Sequence, residues 1–423
     1  MNVTLTPCRT IAGEIVAPPS KAQTHRALFA ALLSTGKTTI ENPLLCDDTR
    51  ATVDSVIALG ATLESSKDRW IVTGNGQPRH PPRPIEVGES GVTLRFTIPI
   101  ASLTGGDVQL NCKDSLLRRP IQPLVDSMRE LGVDLATTEH AVNIQGGPPT
   151  GGGVHVQGDV SSQFISGLLL AGPLMPKGLE LKITSTLESR GYVSLTINTM
   201  KQHGIEVEVE NQMSTIRVEP GQTYRNATHT VPGDYSSAAF PMAAAAITSS
   251  NLLISGLSRE NLEPDSVFTE VLSEMGIETR HSPGGVRIES GRLKAISVDV
   301  SDCPDLAPAI AVLGCYAEGE TQIGGVRRLY YKESSRLEAI KSELKTLGAE
   351  ISIVDGRLIV NGPCTLKGGI VDSHGDHRIA MALSVAALHA RGPVTVRNGE
   401  CVSKSYPGFF NDLRLLGVNV IER

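Results

Sequence analysis

Short groups of basic and hydroxyl-bearing residues recur along this sequence. Each lies at or near the start of a segment made almost entirely of small and aliphatic residues. The groups are Lys21 with Arg26, Arg95, Ser161 to Gln163, Ser236 with Ser237, Asp305, and Asp376 to Arg378. Guanidinium, ammonium and hydroxyl groups are the usual protein partners of phosphate and carboxylate. A helix N-terminus also attracts anions through its unpaired N–H groups and its dipole. If these helix starts converge, they form a site for small, multiply charged anions.

A simpler interpretation is open for each group taken alone. Serine and aspartate are common N-caps, so their position at a helix start does not by itself require a ligand. Lysine and arginine are different, because a cation is disfavoured by the positive end of a helix dipole. A bound anion would remove that conflict.

The sequence contains a repeat that predicts the scaffold for these groups. Six amphipathic segments each end at a glycine and lead into an alternating or β-branched stretch. The glycines are Gly60, Gly132, Gly204, Gly276, Gly348 and Gly417, separated by 72 residues four times and then by 69. Glycine is favoured after a helix because the chain commonly turns there through the left-handed region. Each unit of about 70 residues is predicted to contain an outer amphipathic helix, strands and a buried apolar helix.

Six units predict an α/β protein of two domains, with three units in each and the buried helices inside the sheets. A polar crossover containing proline and glycine follows the third unit, near residues 230–233. A single solenoid of six stacked repeats is the alternative that the pattern leaves open.

Composition limits the classes of partner. A net charge of −6 and a pI near 6.0 argue against nucleic acid or an anionic membrane as the main partner. The seven cysteines are scattered without a CxxC spacing, which favours free thiols in a reducing compartment. With no signal-peptide pattern and no long apolar run, we expect a cytoplasmic monomer.

Several short motifs, in order along the chain, resemble those of the enolpyruvylshikimate-phosphate synthase family. They are Pro18 to Lys21 with Arg26, Gly88 to Arg95, Arg119 to Ile121, Ser161 to Phe164, Asp305, Lys332 with Glu333 and Arg336, Asp376 to Arg378, and Lys404 to Pro407. The resemblance runs from one end of the chain to the other. It implies two inside-out α/β domains joined by two crossovers, with residues 18–232 in one domain and residues 1–17 and 233–423 in the other.

The resemblance also implies two substrates, shikimate 3-phosphate and phosphoenolpyruvate, with no cofactor and no metal. Residues matching the shikimate 3-phosphate site are Lys21, Arg26, Ser161, Ser162, Gln163, Ser189, Asp305, Arg328 and Lys332. Residues matching the phosphoenolpyruvate site are Lys21, Gly91, Arg119, Gln163, Arg336, Arg378 and Lys404. The implied reaction is addition followed by elimination, with Asp305 as the base and Glu333 and Lys21 as candidates for proton delivery.

Some positions depart from the common family pattern. Ala22 stands where a serine usually contacts the shikimate phosphate, and Arg328 stands where an asparagine is usual. The related UDP-N-acetylglucosamine enolpyruvyl transferases carry a reactive cysteine at the position of Asp114, which favours the shikimate substrate. Without the resemblance, Lys332, Glu333 and Arg336 could form a solvated helix face, and the chain could be a non-enzymatic repeat scaffold such as a DNA clamp.

Overall fold

The computed structural model describes residues 1–248, 250–258, 260–289 and 291–423. It divides into two compact units. The N-terminal unit is Pro19–Val231, and the C-terminal unit combines Met1–Pro18 with Pro232–Arg423. The chain begins with strands β1 (Val3–Leu5) and β2 (Ala12–Val16), which are part of the C-terminal unit.

The N-terminal unit repeats one arrangement of inner helix, outer helix and sheet. Its inner helices are α1 (Lys21–Leu33), α3 (Gly91–Ser102) and α6 (Ser162–Ala171). Its outer helices are α2 (Asp47–Ala58), α5 (Gln122–Glu130) and α7 (Arg190–Gln202), and α4 (Asp114–Leu117) is a single turn. The strands are β3 (Ser34–Glu41), β4 (Thr62–Ser65), β5 (Arg69–Asn75), β6 (Ile85–Gly88), β7 (Val108–Cys112), β8 (Asp134–Thr137), β9 (Ala141–Gln145), β10 (Gly152–Val156), β11 (Leu179–Ile183), β12 (Glu208–Glu210), β13 (Thr215–Val218), β14 (Tyr224–Arg225) and β15 (Thr228–Thr230).

The C-terminal unit repeats the same arrangement. Its inner helices are α8 (Tyr235–Ile247), α10 (Ala307–Gly314) and α12 (His377–Ala387), and its outer helices are α9 (Phe268–Glu274), α11 (Arg336–Thr346) and α13 (Phe409–Leu415). The remaining strands are β16 (Asn251–Ser255), β17 (Thr279–Ser282), β18 (Gly285–Glu289), β19 (Ser297–Asp299), β20 (Gly319–Gly324), β21 (Glu350–Val354), β22 (Arg357–Gly362), β23 (Gly369–Asp372), β24 (Val394–Arg397) and β25 (Val420–Glu422).

Among the described residues the strands form three sheets in each unit. In the N-terminal unit the orders are β14-β3-β5-β4 with β15 also paired to β3, β6-β7-β9-β8, and β10-β11-β13-β12. In the C-terminal unit they are β17-β18-β16-β2, β19-β20-β22-β21, and β23-β24-β1-β25. Sheets of both units mix parallel and antiparallel pairs. In one of them β10 runs parallel to β11, whereas β11 and β13 are antiparallel. The first strands of the chain thus complete two sheets of the C-terminal unit.

The inner helices are buried because they carry no polar face. Every residue of α8 from Tyr235 to Ile247 is buried, and all but the first few of α1 are buried. In the C-terminal unit α8, α10 and α12 all contact one another. A linear solenoid, in which each repeat touches only its neighbours, does not produce such a closed group of three. The α/β fold with buried helices inside the sheets is therefore confirmed.

The six repeat glycines have the backbone conformation that the sequence predicts. Their φ angles lie between +80° and +103°, in a region that disfavours side chains. Each follows an outer helix and turns the chain into the next stretch. No helix in the described parts of the chain has the length and apolar character needed to cross a bilayer.

A buried pair of histidines connects the end of α7 to β15. His203 directly follows α7, and His229 lies in β15. The Nε2 atoms of His203 and His229 are 2.8 Å apart, and His203 Nδ1 is 2.6 Å from the carbonyl oxygen of Arg225. Burial lowers the pKa of His203, and it lowers the pKa of His229 to about 4. Both rings are therefore neutral at pH 7.

We expect this pair to make the N-terminal unit sensitive to acid. The unfolded chain takes up these protons at its ordinary histidine pKa of about 6.5. The stabilisation is therefore complete above that pH and is lost as the pH falls toward 4. From pH 7 to pH 4.5, His229 alone should cost about 2–3 kcal/mol of unfolding free energy.

Urea unfolding followed by the fluorescence of Trp70, the single tryptophan and a buried residue of β5, measures this loss. His229→Gln should lose correspondingly less stability over the same pH interval. The exposed residue His80 supplies the matched control, His80→Gln, which should follow the unsubstituted protein. Equal losses in all three proteins would show that the buried pair does not govern acid sensitivity.

Candidate active site

In the N-terminal unit the start of α1 presents a lysine and buries an arginine. Ser20 is the N-cap and accepts a hydrogen bond from the backbone N–H of Gln23 at 3.1 Å. Lys21 Nζ lies 2.7 Å from Asp48 Oδ2 on α2. Arg26 donates to Thr196 Oγ1 at 2.9 Å and, through its other two nitrogens, to two backbone carbonyl oxygens. Arg26 therefore connects α1 to α7 and fixes the position of the helix that carries Lys21.

Two guanidinium groups and an amide converge at the start of α3. Arg95 Nη1 donates to Gln163 Oε1 at 2.8 Å, and the Arg95 guanidinium lies over the ring of Phe164 at 5.4 Å. A Cβ atom placed on Gly91 would lie 2.6 Å from Arg95 Nη1 and 3.0 Å from Arg119 Nη1. A side chain at this position would therefore displace one or both guanidinium groups from their present places. Two like charges beside a helix N-terminus form an environment that an anion would stabilise.

The predicted serines lie at two further helix starts. Ser161 caps α6 and accepts from the N–H of Gln163 at 3.3 Å, while Ser162 begins the helix and is buried. Ser189 immediately precedes α7, is buried and has a left-handed backbone with φ +56°. Both starts belong to helices that pack against each other in the N-terminal unit. Hydroxyl groups at such positions can donate to a phosphate oxygen.

A chain of buried hydrogen bonds that the sequence analysis did not predict connects α1, α2 and α3. His25 Nδ1 is 2.7 Å from Thr52 Oγ1, which is 2.6 Å from Thr93 Oγ1, which donates to Ser90 Oγ at 2.7 Å. Burial and the charges of Lys21 and Arg26 hold the pKa of His25 well below its usual value, so the ring is neutral. The chain ends at Ser90, the N-cap of α3, and so orders the backbone around Gly91.

In the C-terminal unit Asp305 lies among three cations. One of its oxygens is 3.0 Å from Lys332 Nζ and 2.7 Å from Arg336 Nη1, and the other is 3.3 Å from Arg378 Nη2. Burial alone would raise the pKa of Asp305. The charges of Arg378, Lys332 and Arg336 outweigh burial and hold that pKa well below its usual range. The carboxylate is therefore ionised.

Arg336 is buried within carboxylates. It is ion-paired with Asp305, Glu333 and Asp376, and its side chain is 1% exposed. A solvated helix face is therefore the wrong interpretation of this segment. Burial would lower the pKa of Arg336, but the three carboxylates raise it instead. Burial lowers the pKa of Lys332, partly opposed by Asp305.

Asp376 organises the start of α12. It accepts a hydrogen bond from the N–H of Arg378 at 2.9 Å as the N-cap, and its other oxygen accepts from Arg336 Nε at 2.9 Å. Arg378 Nη1 in turn donates to the carbonyl of Ser236 on α8 at 2.9 Å. Lys404 Nζ donates to the carbonyl of Gly375 at 2.9 Å, just before this helix start. Arg336, Arg378 and Lys404, three predicted cations, are therefore all bonded at or next to the start of α12.

Two other observations concern predicted residues. Arg328, where the family pattern has asparagine, is buried and donates to the carbonyl of Ser301 at 2.7 Å. Glu333, Asp376 and His377 have potential metal-ligating atoms within 4.8 Å of one another. Arg336 contacts both carboxylates, so a protein cation already supplies positive charge there.

The predicted site residues thus form two sets. In the N-terminal unit, Gly91, Arg119 and Gln163 converge, while Lys21, Arg26, Ser161, Ser162 and Ser189 occupy helix starts of the same unit. In the C-terminal unit, Asp305, Lys332, Glu333, Arg336 and Arg378 form one contiguous ionic group. The family resemblance did not assign Arg95, Asp48 or Asp376 to either substrate site. The position of Arg95 four residues after Gly91, one helical turn away, could have identified it.

Solved structures with the same fold define the class of protein. An EPSP synthase from Acinetobacter baumannii is similar with a TM-score of 0.82 and 26% identity, covering all of both chains. The enolpyruvyl transferase NikO from Streptomyces tendae has the same TM-score at 20% identity and covers 99% of this chain and 98% of its own, a likeness of fold alone. The fold is that of the enolpyruvyl transferases.

Sequence similarity identifies the family within this class. Residues 5–413 match the EPSP synthase (3-phosphoshikimate 1-carboxyvinyltransferase) family, and the chain belongs to it. A 3-phosphoshikimate 1-carboxyvinyltransferase of Methanocorpusculum labreanum is 40% identical over 97% of this chain and 98% of its own length. The one of Methanothermobacter thermautotrophicus is 38% identical over 99% of both. The family resemblance read from the motifs is confirmed.

The Asp376 network makes a prediction about stability. Asp376→Ala removes the N-cap of α12 and a carboxylate from the buried guanidinium of Arg336. Loss of one partner of a buried ion pair typically costs about 3–5 kcal/mol, and we expect a loss of that size for the C-terminal unit. Urea unfolding followed by far-UV circular dichroism measures it, while Trp70 fluorescence reports the N-terminal unit separately.

Glu318→Ala is the matched control in the same unit. Glu318 pairs with Arg292 at the surface, where both side chains are largely exposed, so its loss should leave stability nearly unchanged. If the two substitutions had equally small effects, the Asp376 network would not be a determinant of stability.

Proposed function

We propose that this protein transfers the enolpyruvyl group of phosphoenolpyruvate to the 5-hydroxyl of shikimate 3-phosphate and releases phosphate. The observation that carries the proposal is the ionised carboxylate of Asp305 among Lys332, Arg336 and Arg378. In this group Asp305 can act as a base, and the three cations can bind phosphate and carboxylate groups. Family membership favours this acceptor over UDP-N-acetylglucosamine.

Both sets of residues bind these substrates in the proposal. Shikimate 3-phosphate is bound by Lys21, Arg26, Ser161, Ser162, Gln163, Ser189, Asp305, Arg328 and Lys332. Phosphoenolpyruvate is bound by Lys21, Gly91, Arg119, Gln163, Arg336, Arg378 and Lys404. Each substrate carries a phosphate and a carboxylate, and the guanidinium groups match both with paired hydrogen bonds. We further propose that the protein acts as a monomer in the cytoplasm.

The reaction begins when Asp305 accepts the proton of the 5-hydroxyl. The hydroxyl oxygen bonds to C2 of phosphoenolpyruvate, while C3 takes a proton from Glu333 or Lys21. The tetrahedral intermediate then loses phosphate from C2 and a proton from C3, which restores the double bond. The surrounding cations stabilise the charge that moves onto the departing phosphate.

Substrate binding itself should strengthen the base. Asp305 owes its low pKa to Arg378, Lys332 and Arg336. An anionic substrate that shares these cations raises the pKa of Asp305 toward that of an ordinary carboxylate, and hence its basicity. Asp305 is thus ionised before the substrate binds, and substrate binding makes its carboxylate a better proton acceptor.

Phosphate release is the primary test. The full chain incubated with phosphoenolpyruvate should release phosphate when shikimate 3-phosphate is added and not when UDP-N-acetylglucosamine replaces it. Turnover with the sugar nucleotide alone would overturn the acceptor, and release with neither would overturn the activity.

Asp305→Asn tests the base. The amide cannot accept the hydroxyl proton, so kcat should fall by about 10²–10⁴-fold. Removing a negative charge from three cations should leave the affinity for phosphoenolpyruvate unchanged or increase it, which isothermal titration calorimetry measures. Asp355→Asn, an exposed position in the β21–β22 turn, is the control and should keep full activity. A near-normal kcat for Asp305→Asn would remove Asp305 from the role of base.

Gly91→Ala tests the approach of the backbone to the arginines. The new methyl group would collide with the guanidinium ends of Arg95 and Arg119. We expect a KM for phosphoenolpyruvate raised about tenfold or more, since each 1.4 kcal/mol of lost binding is a factor of ten. Gly153→Ala in β10 has no atom within 4 Å of the added methyl and should leave KM unchanged. Equal KM values for the two variants would contradict the proposed role of Gly91.

A further inference from the structure

Two cysteines of the C-terminal unit are in contact at the end of α10. Cys315 follows the last residue of the helix and is fully buried, whereas Cys364 comes two residues after β22 and is half-buried. Their thiols are close enough for each to shift the pKa of the other. The backbone N–H of Cys364 also donates to the carbonyl oxygen of Cys315 at 2.6 Å. The two cysteines are therefore direct neighbours in the folded chain.

The backbone geometry of this contact suits a disulfide. The direct backbone hydrogen bond between the two residues keeps their Cα atoms close together. Disulfides span Cα distances of roughly 4.4–6.8 Å. Gly362 lies so close to the helix end that a Cβ atom there would be 2.3 Å from the carbonyl oxygens of Gly314 and Ala317. The segment bearing Cys364 is thus held directly against the segment bearing Cys315.

The two thiols differ in a way that gives each a distinct role. Interaction with the Cys315 thiol lowers the pKa of Cys364 to about 6, despite partial burial. The N–H of Glu350 also donates to the Cys364 sulfur, at 3.4 Å. The same thiol contact, together with burial, raises the pKa of Cys315 well above its usual value. Cys364 is therefore the accessible nucleophile and Cys315 the buried partner.

Other cysteines of the chain lack this combination. Burial raises the pKa of Cys46 to about 11 and that of Cys112 and Cys401 to about 12, so these thiols stay protonated and unreactive. Cys303 is likewise buried with a raised pKa. Cys364 is thus partly exposed and also has a second cysteine beside it, which is the arrangement that a disulfide requires.

We propose that Cys315 and Cys364 are a modification site, at which exchange with a low-molecular-weight disulfide forms a reversible intramolecular disulfide. The Cys364 thiolate attacks one sulfur of the small disulfide, forming a mixed disulfide and releasing one small thiolate. The Cys315 thiol then gives up its proton and attacks the Cys364 sulfur, releasing the second small thiol. Two protein thiols are oxidised and one small disulfide is reduced to two thiols. The hydrogen bond from Cys364 to the Asn361 carbonyl, 3.0 Å in the reduced form, is lost.

The bond would attach the end of an inner helix to the outer sheet of its repeat. Residues 315 and 364 are 49 positions apart, and closing such a loop stabilises the folded state by restricting the unfolded chain. A rise in Tm of about 5 °C or more is expected for a unit of this size.

The test uses the full chain, oxidised glutathione and alkylation of the remaining thiols before proteolysis and mass spectrometry. We expect a peptide pair joined through Cys315 and Cys364, an intact mass lower by two hydrogens, the higher Tm, and reversal of all three by dithiothreitol. Alkylation of both cysteines after exposure to the oxidant, or a mixed disulfide that persists at Cys364, would overturn the proposal.

Three variants separate the steps. Cys315→Ser should stop at one glutathionyl group on Cys364, and Cys364→Ser should leave Cys315 unmodified. Cys8→Ser, at a partly exposed cysteine elsewhere in the unit, should form the same disulfide as the unsubstituted protein. Glutathionylation of Cys315 in Cys364→Ser would contradict the assignment of the nucleophile. The unsubstituted protein decides the main question even if a variant folds poorly.

Discussion

The ion pairs of the buried guanidinium of Arg336 are the interactions on which the candidate site residues of the C-terminal unit depend. A charge with 1% exposure is tolerable only because Asp305, Glu333 and Asp376 surround it. Two of those carboxylates make further contacts. Asp376 is the N-cap of α12, and Asp305 forms ion pairs with Lys332 and Arg378. The same ion pairs therefore position the cations and keep Asp305, the base in the proposed reaction, ionised. Stability and chemistry in this unit rest on one set of contacts.

The inner helices explain why the chemistry collects where it does. Because α8 and its counterparts are buried on every side, they offer no polar face for a functional group. The polar residues that could bind a ligand therefore gather near their N-terminal ends, where caps also satisfy unpaired N–H groups. Each inner helix can thus contribute ligands near its start while the rest of it packs. Each further repeat adds another helix start of this kind, while the packing of the core stays the same.

Periodicity made the fold and much of the site predictable from sequence. The glycines at a 72-residue spacing located the outer helices, and the apolar segments located the inner ones, since both patterns follow from local physics. The motifs around Lys21, Gly91 and Asp305 allowed the family to be identified from the sequence. The network of His25, Thr52 and Thr93 was not predictable, because three polar residues on three helices meet only after packing. The burial of Arg336 was equally hidden, because its spacing from Glu333 also suits a solvated surface pair.

The placement of β1 has a consequence for how the protein is made. Val3 to Leu5 lie between β24 and β25, pairing with residues near 395 and 421. On the ribosome these residues must remain without their partners until almost the whole chain has emerged. The N-terminal unit, continuous in sequence, has all of its strands by residue 230 and can fold well before. The C-terminal unit therefore completes its sheets last, and its unpaired first strands are the part that a chaperone would protect until then.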